Sequence, residues 1–258
     1  MTTETPINKG HSPRTRGRNA PAPAIVWFSC GATSAVATKL AAEKFRELRI
    51  IYIDTGAEHP DNKRFLRECE KWLHHDIEIR KSERFHNPIE VFHSRKFLNS
   101  PYGAPCTLEL KKKVRWRIED ELTEWSAQIF GFDASERKRF DRFREQYPNA
   151  KAEAPLIDKS LSKEDCLAIL IKAGIEIPKM YRLGFHNNNC IGCVKGGRGY
   201  WSHIRRHFPE VFEEMAKLER TLGHSCISDC YLDELPEYDL PPIVPSCSLF
   251  CDPDFMDI

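Results

Sequence analysis

Trp27-Phe28-Ser29-Cys30-Gly31-Ala32-Thr33-Ser34 closes an apolar run that begins at Ala24 and opens a helix-compatible segment from Ala35 to Leu48. An apolar run that stops abruptly at small and hydroxylic residues, followed at once by helical spacing, reads as a buried strand turning into a helix. Such a turn points backbone N–H groups and the positive end of the helix dipole at one spot, which suits a phosphate. Ser29, Thr33 and Ser34 add hydroxyl donors, and Gly31 lets backbone come close to a ligand.

Working outward, Val36, Leu40, Ala41, Phe45 and Leu48 keep the spacing of one helix face. Ile50-Ile51-Tyr52-Ile53 reads as a second buried strand ending in Asp54-Thr55-Gly56-Ala57-Glu58-His59-Pro60. A helix from Asp61 to Leu73 and a short strand at Ile77-Glu78-Ile79 follow. This β-α-β-α-β order predicts a parallel sheet with right-handed crossovers and a ligand beyond the strand C-termini.

The two strand-end segments together resemble the adenine-nucleotide α-hydrolase superfamily, which includes the PP-loop ATP pyrophosphatases and the sulfonucleotide (PAPS) reductases. The loop is similar to that group's Ser-Gly-Gly-x-Asp-Ser, with Cys30 in place of a Gly and Thr33 in place of the Asp. Asp54-Thr55-Gly56-Ala57-Glu58 resembles its Asp-Thr-Gly-x-Glu turn. The resemblance implies an α/β fold with a doubly wound, mainly parallel sheet, and a small helical, cysteine-containing C-terminal part. It implies nucleotide contacts from Ser29, Cys30, Gly31, Thr33, Ser34, Asp54, Thr55, Gly56 and Glu58. The Thr33 departure means that no metal-ligand role carries over to that side chain.

Cys106-Thr107-Leu108-Glu109-Leu110-Lys111 resembles a segment that lies near the nucleotide in relatives and opens a basic helix running to about Trp125. Lys111 is then a phosphate contact and Cys106 a thiol near the reacting centre; with Asp54 they are the candidate catalytic residues. A strand at Ala127 to Phe130 leads into Gly131-Phe132-Asp133-Ala134-Ser135-Glu136-Arg137, similar to a turn in which Glu136 and Arg137 approach the nucleotide. Ser162 with Asp165 caps a helix of about 163–173 that stops at Gly174. From Pro209, the residues Val211, Phe212, Met215, Leu218 and Leu222 form an apolar stripe closed by Gly223.

The chain has 258 residues, 41% hydrophobic and 30% charged, with a formal net charge of +1, so no global field draws in a polyanion. Charge is segregated instead. Lys9, Arg14, Arg16 and Arg18 mark the N-terminal stretch, and eight acidic residues without a Lys or Arg fill the chain from Asp229 onward. The expected organisation is a disordered basic tail over 1–22, a nucleotide-binding α/β domain over 23–185, and a Cys-rich helical extension over 186–258. No stretch has the length of a membrane span or the pattern of a signal peptide. A cytoplasmic protein is the expectation, and its ten cysteines then argue for metal or redox chemistry over structural disulfides.

Cys190-Ile191-Gly192-Cys193 has the spacing at which two thiolates bind one metal or cluster, and Cys247 and Cys251 stand one helical turn apart. The four are the expected ligands of a [4Fe–4S] cluster or of Zn2+, the zinc alternative being a staple for the C-terminal tail. Cluster-bearing sulfonucleotide reductases use a cysteine pair near the position of Cys106 plus a later Cys-x-x-Cys, and here Cys106 stands alone. His203 and His207 follow too closely after Cys193 for a zinc finger.

Three functions remain. One is an ATP pyrophosphatase, working with Mg2+, that forms AMP and pyrophosphate while activating an acceptor for sulfur transfer. Its sulfur donor would be a cysteine desulfurase and its acceptor a nucleic acid, DNA above all, as in phosphorothioation. The basic runs Lys111 to Arg117 and Arg137 to Arg144 favour a polyanionic acceptor. The second is a PAPS or APS reductase, though the Glu-Cys-Gly-x-His-like segment of that group is missing. The third is a non-catalytic nucleotide- or metal-binding subunit. The sequence is compatible with a homo-oligomer and names no membrane partner.

Overall fold

The structure is a computed structural model that describes residues 22–100, 103–122 and 124–236. The expected arm up to residue 21 and the Cys247–Cys251 pair lie outside the described residues.

Five strands form one sheet in the order β3-β2-β1-β4-β5, and every pairing is parallel. They are β1 Ala24–Phe28, β2 Leu48–Ile53, β3 Ile77–Arg80, β4 Ala127–Ile129 and β5 Ala152–Glu153. The chain leaves β1 towards β2 and β3, then returns to the other side of β1 to lay down β4 and β5. The order therefore reverses between β1 and β4, and a doubly wound sheet opens its crevice at such a point.

β1 explains why helices cover both faces. Ala24, Val26 and Phe28 point to one side, where they pack with residues of α1 (Ala32–Lys44) and α2 (Asn62–Leu73). Ile25 and Trp27 point to the other side, and α3 (Pro88–Arg95) leads to α4 (Lys113–Leu122), whose Val114 and Ile118 meet Ile25 and Ile51 there. A central parallel strand is buried on both faces, hence its unbroken apolar text. The chain continues through α5 (Arg137–Gln146), α6 (Pro155–Asp158), α7 (Lys163–Lys172) and α8 (Lys179–Arg182). Ser162 accepts from the Asp165 N–H at the start of α7, the expected capping box.

Two expected boundaries move. The first helix begins at Ala32 and ends at Lys44, because Leu48 already pairs with Ala24 in the sheet. The basic helix is not continuous: Thr107–Lys112 is a π-helical turn and only Lys113–Leu122 is α-helical. Buried Glu109 sits inside the wide turn, held by Arg95 and by Lys113 at 2.8 Å. Single π-turns of this kind gather at functional sites.

A second core holds the C-terminal part together. Trp201 of α9 (Arg198–His207), Met215 and Leu218 of α10 (Pro209–Leu222), Phe185 and Leu232 are buried in it, and Gly223 closes α10 with a left-handed cap. No helix among the described residues is long and apolar enough to cross a membrane.

Candidate active site

Above the C-terminal ends of β1 and β2 lies a cleft of two connected chambers, about 220 and 540 Å³, which share Lys111, Lys163, Asn187, Asn189 and Cys190. The inner chamber is floored by the strand-to-helix loop, with Ser29, Gly31 and Thr33 on its wall. The outer one runs past Cys106, Cys193, Glu136, Arg139 and Lys195.

The loop is shaped by its own polar groups. Ser34 Oγ accepts from the N–H groups of Ser29 (3.1 Å) and Gly31 (3.2 Å) and donates to Gly31 O (2.9 Å). Ser34 is buried, so this hydroxyl pins the loop from inside rather than standing free for a ligand. Cys30, where the resembling motif has glycine, sits at φ 59 with its side chain fully buried. Thr33 faces the chamber, and the N-terminus of the 13-residue α1 opens beside it. Gly131 lies directly beneath: a Cβ there would come within 2.8 Å of Ser34 Cα and N. Gly131 thus lets β4 pack against the loop and is not itself a ligand contact.

The Asp54–Glu58 turn forms the opposite wall. Gly56 has φ +76, and a Cβ on it would stand 1.9 Å from His86 O, so only glycine fits. Asp54 Oδ1 accepts the Gly56 N–H at 2.8 Å, and its other oxygen pairs with Lys81 at 2.7 Å. Burial would raise the Asp54 pKa, but Lys81 and the Gly56 N–H outweigh it and hold the carboxyl below its ordinary value. Glu58 accepts from Thr55 N–H (3.1 Å) and Thr55 Oγ1 (2.6 Å), and it lines the inner chamber.

Cys190 touches this same turn. Its sulfur lies 3.1 Å from Thr55 Oγ1 and 3.6 Å from Glu58 Oε1, while the Ile191 N–H donates to Ala57 O at 2.7 Å. Tyr200 bridges the cysteine pair, donating to Cys190 O (2.6 Å) and accepting from Cys193 N–H (2.9 Å). Burial pushes the Cys190 thiol up to about 12, against the pull of Lys111. Lys111, carried by the π-turn, is ringed by protein yet open to the cleft. Burial works against its charge, but Cys190, Glu58, Cys193 and Cys106 around it raise its pKa above the ordinary lysine value. Cys106 is likewise raised, by burial first and by Cys193 next.

The structure therefore gathers Ser29, Gly31, Thr33, Glu58, Lys111 and Cys190 on one chamber, and Cys106, Cys193, Glu136 and Thr55 on the next. Arg137 goes elsewhere, donating to Ile157 O at 3.3 Å, and it is Arg139 that lines the outer chamber. The basic run 111–117 is largely neutralised from within: Lys113 pairs with Glu109, Arg115 with Glu119 and Arg117 with Glu83. Arg115 is further enclosed by the rings of Trp27, Phe130, Phe143 and Tyr147. Its charge is structural and contributes little field outside.

Three residues carry the loop that sequence reasoning did not single out. Tyr181 OH accepts the Ala32 N–H at 3.3 Å. Asn188 donates to Cys30 O (2.6 Å) and Asn62 Oδ1 (2.8 Å), and its own Oδ1 has no partner among the described residues. Lys163 donates to Asn187 Oδ1 at 2.7 Å and projects into both chambers. The run of three asparagines before Cys190 was the available signal, since polar residues crowded beside a thiol pair need a reason.

Among the described residues no three or more His, Cys, Asp or Glu side chains are drawn together as closely as a metal ion requires. In comparisons with known proteins, the family model described as "Phosphoadenosine phosphosulfate reductase domain" matches residues 23–198. Two uncharacterized proteins of Methanocaldococcus jannaschii, MJ0066 and MJ0973, are similar to this chain. The first is 24% identical over 77% of this chain and 42% of its own length, the second 21% over 76% and 47%. The chain thus spans less than half the length of these curated relatives. A phosphoadenylyl-sulfate reductase from Candida auris, solved with phosphate, aligns at 14% identity with a TM-score of 0.47, covering 65% of this chain and 81% of that one.

Proposed function

The chain belongs to the phosphoadenosine phosphosulfate reductase domain family, and from that premise we propose that it cleaves ATP to AMP and pyrophosphate to activate an acceptor for sulfur transfer. The observation that carries this reading is the shared wall. Lys111 and Cys190 line the same chamber as Ser29, Gly31 and Thr33, so an activated phosphorus and a sulfur-bearing group would meet in one place.

In this reading the loop and the α1 N-terminus receive the phosphates, and Lys111 neutralises the charge that builds as pyrophosphate leaves. An acceptor oxygen attacks the α-phosphorus and the bond to pyrophosphate breaks. Sulfur then displaces the adenylated oxygen, which departs in AMP. Magnesium is usually held by one or two carboxylates together with substrate phosphates. Glu58 faces the chamber and fits that role; Asp54 is engaged by Lys81 and fits it less well. The thiols of Cys106, Cys190 and Cys193 are soft donors suited to an iron–sulfur cluster, which when bound would supply a sulfide-rich redox centre beside the nucleotide.

For the acceptor we retain a nucleic acid, DNA in the first instance, with a cysteine desulfurase delivering sulfur. The supporting cations are now Arg139, Lys163 and Lys195 on the outer chamber rather than the run ending at Arg117. The second reading, a sulfonucleotide reductase, is favoured by the same three thiols. Two assays separate them. ATP, DNA, a desulfurase and cysteine should place sulfur in the DNA; PAPS with thioredoxin should release no sulfite. Sulfite in the second assay and sulfur-free DNA in the first would make the protein a reductase.

A further inference from the structure

Cys226 was left without a role by its sequence context, and the fold brings it to the cysteines of the cleft. It is buried in the C-terminal core against which Cys106 packs, and Val194, next to Cys193, is part of that same core. The Cys226 thiol feels Cys193 and Cys106 across this core, Cys106 feels Cys193, and Cys190 feels Cys193. Cys193 is thus the common neighbour of three other thiols. Two of those, Cys106 and Cys190, share the outer chamber with it.

The segment that carries Cys226 is held rigidly. The buried carboxylate of Glu219, on α10, accepts the N–H groups of both Cys226 and, at 2.6 Å, Leu232. Arg205 donates to Leu232 O at 2.9 Å, and Arg220 clamps Asp233 at 2.7 Å. A ligand whose backbone is fixed in this way loses little entropy on binding.

We infer that Cys226 joins Cys106, Cys190 and Cys193 as the fourth ligand of a cubane iron–sulfur cluster, so that the Cys247–Cys251 pair is not required. The inference rests on the cofactor class proposed above. All four donors are thiols, which excludes a hard cation. A single zinc with Zn–S bonds of about 2.3 Å draws its sulfurs to within roughly 4 Å of one another. The described thiols are not gathered so closely, whereas a cubane holds its ligands apart at its four corners. Each thiol gives up its proton to solvent as its sulfur bonds iron, with no change in the sulfur's oxidation state. Lys111, facing Cys106, Cys190 and Cys193, offsets part of the negative charge that four thiolates bring.

The test uses the full chain, reconstituted anaerobically with iron and sulfide. Iron and sulfide per chain, absorbance near 400 nm, and the electron paramagnetic resonance of the reduced sample are recorded. Wild type should hold about four irons. Cys226→Ser and Cys193→Ser should lose most of the iron or yield an altered resonance, while Cys230→Ser, in the same segment, and the double variant Cys247→Ser/Cys251→Ser should match wild type. Full iron with an unchanged resonance in Cys226→Ser would overturn the assignment. Should Cys226→Ser fail to fold, the tail double variant decides alone: loss of its cluster overturns the inference and retention supports it. A wild type that takes up no iron overturns the cofactor class and the inference together. A wild type with iron that is indifferent to Cys226 overturns only the inference.

Discussion

Gly131→Ala puts one methyl group between β4 and the phosphate-binding loop. The new Cβ would stand 2.8 Å from Ser34 Cα and N and 3.1 Å from Thr33 C, all backbone atoms that no rotamer change can move aside. Ordinary contact begins at 3.4 Å, so loop and strand must part by about 0.6 Å. Overpacking of this kind costs about 1–3 kcal/mol, which for a domain of this size lowers Tm by roughly 2–12 °C. The larger effect should fall on function. A displacement of order 1 Å at a catalytic group costs about 100-fold, and the displaced atoms are those on which the nucleotide is proposed to rest. Gly197→Ala is the control, because a Cβ there meets nothing within 4 Å. Thermal melts and ATP titration by calorimetry would be run on both variants. If Gly131→Ala melts lower yet binds and turns over ATP as wild type does, the loop is not the nucleotide site.

Other perturbations bear on the scaffold. Tyr181→Phe removes the acceptor for the Ala32 N–H and should cost about 1 kcal/mol in melts, with up to tenfold weaker ATP binding. Glu219→Ala orphans the N–H groups of Cys226 and Leu232 and should cost about 3 kcal/mol or more, with early hydrogen exchange over 225–235. Asp61 is held at about 2, by Arg64 above all. Because that folded value lies below the unfolded one, its contribution of about 2 kcal/mol is complete above pH 4 and lost as pH falls through about 2. Asp61→Asn should therefore flatten the acid limb of stability against pH, and an unchanged limb would show that the Arg64 pair contributes nothing.

The sheet was legible because its signals are local and redundant. β1 and β2 are apolar runs that each stop at a chemically distinctive turn, and Phe65, Leu66 and Leu73 keep helical spacing on α2. β5 escaped notice: two half-buried residues, Ala152 and Glu153, carry no periodicity and become a strand only by pairing with Gln128 and Ile129. α9 was hidden because its buried face includes Ser202 and His203. The π-turn could not be foreseen, since it depends on Arg95, fourteen residues before Glu109, meeting a buried carboxylate. Within the site, Ser29, Asp54 and Cys190 announced themselves by motif. The roles of Ser34 and Arg137 were displaced for one reason: each has a closer partner in the fold, Gly31 and Ile157, than the ligand it was expected to touch. Tyr181 and Asn188 reach the loop from about 150 residues away, a distance no local pattern spans.

The account's central claim is where the triphosphate breaks. Phosphorus NMR of purified protein incubated with ATP, Mg2+ and the acceptor reads this directly, with Lys111→Ala alongside as the variant stripped of the cation that faces the cleft. The account predicts AMP and pyrophosphate in equal amounts, reduced about 100-fold or more in the variant. ADP and inorganic phosphate as the products, or AMP formation indifferent to the loss of Lys111, would contradict it.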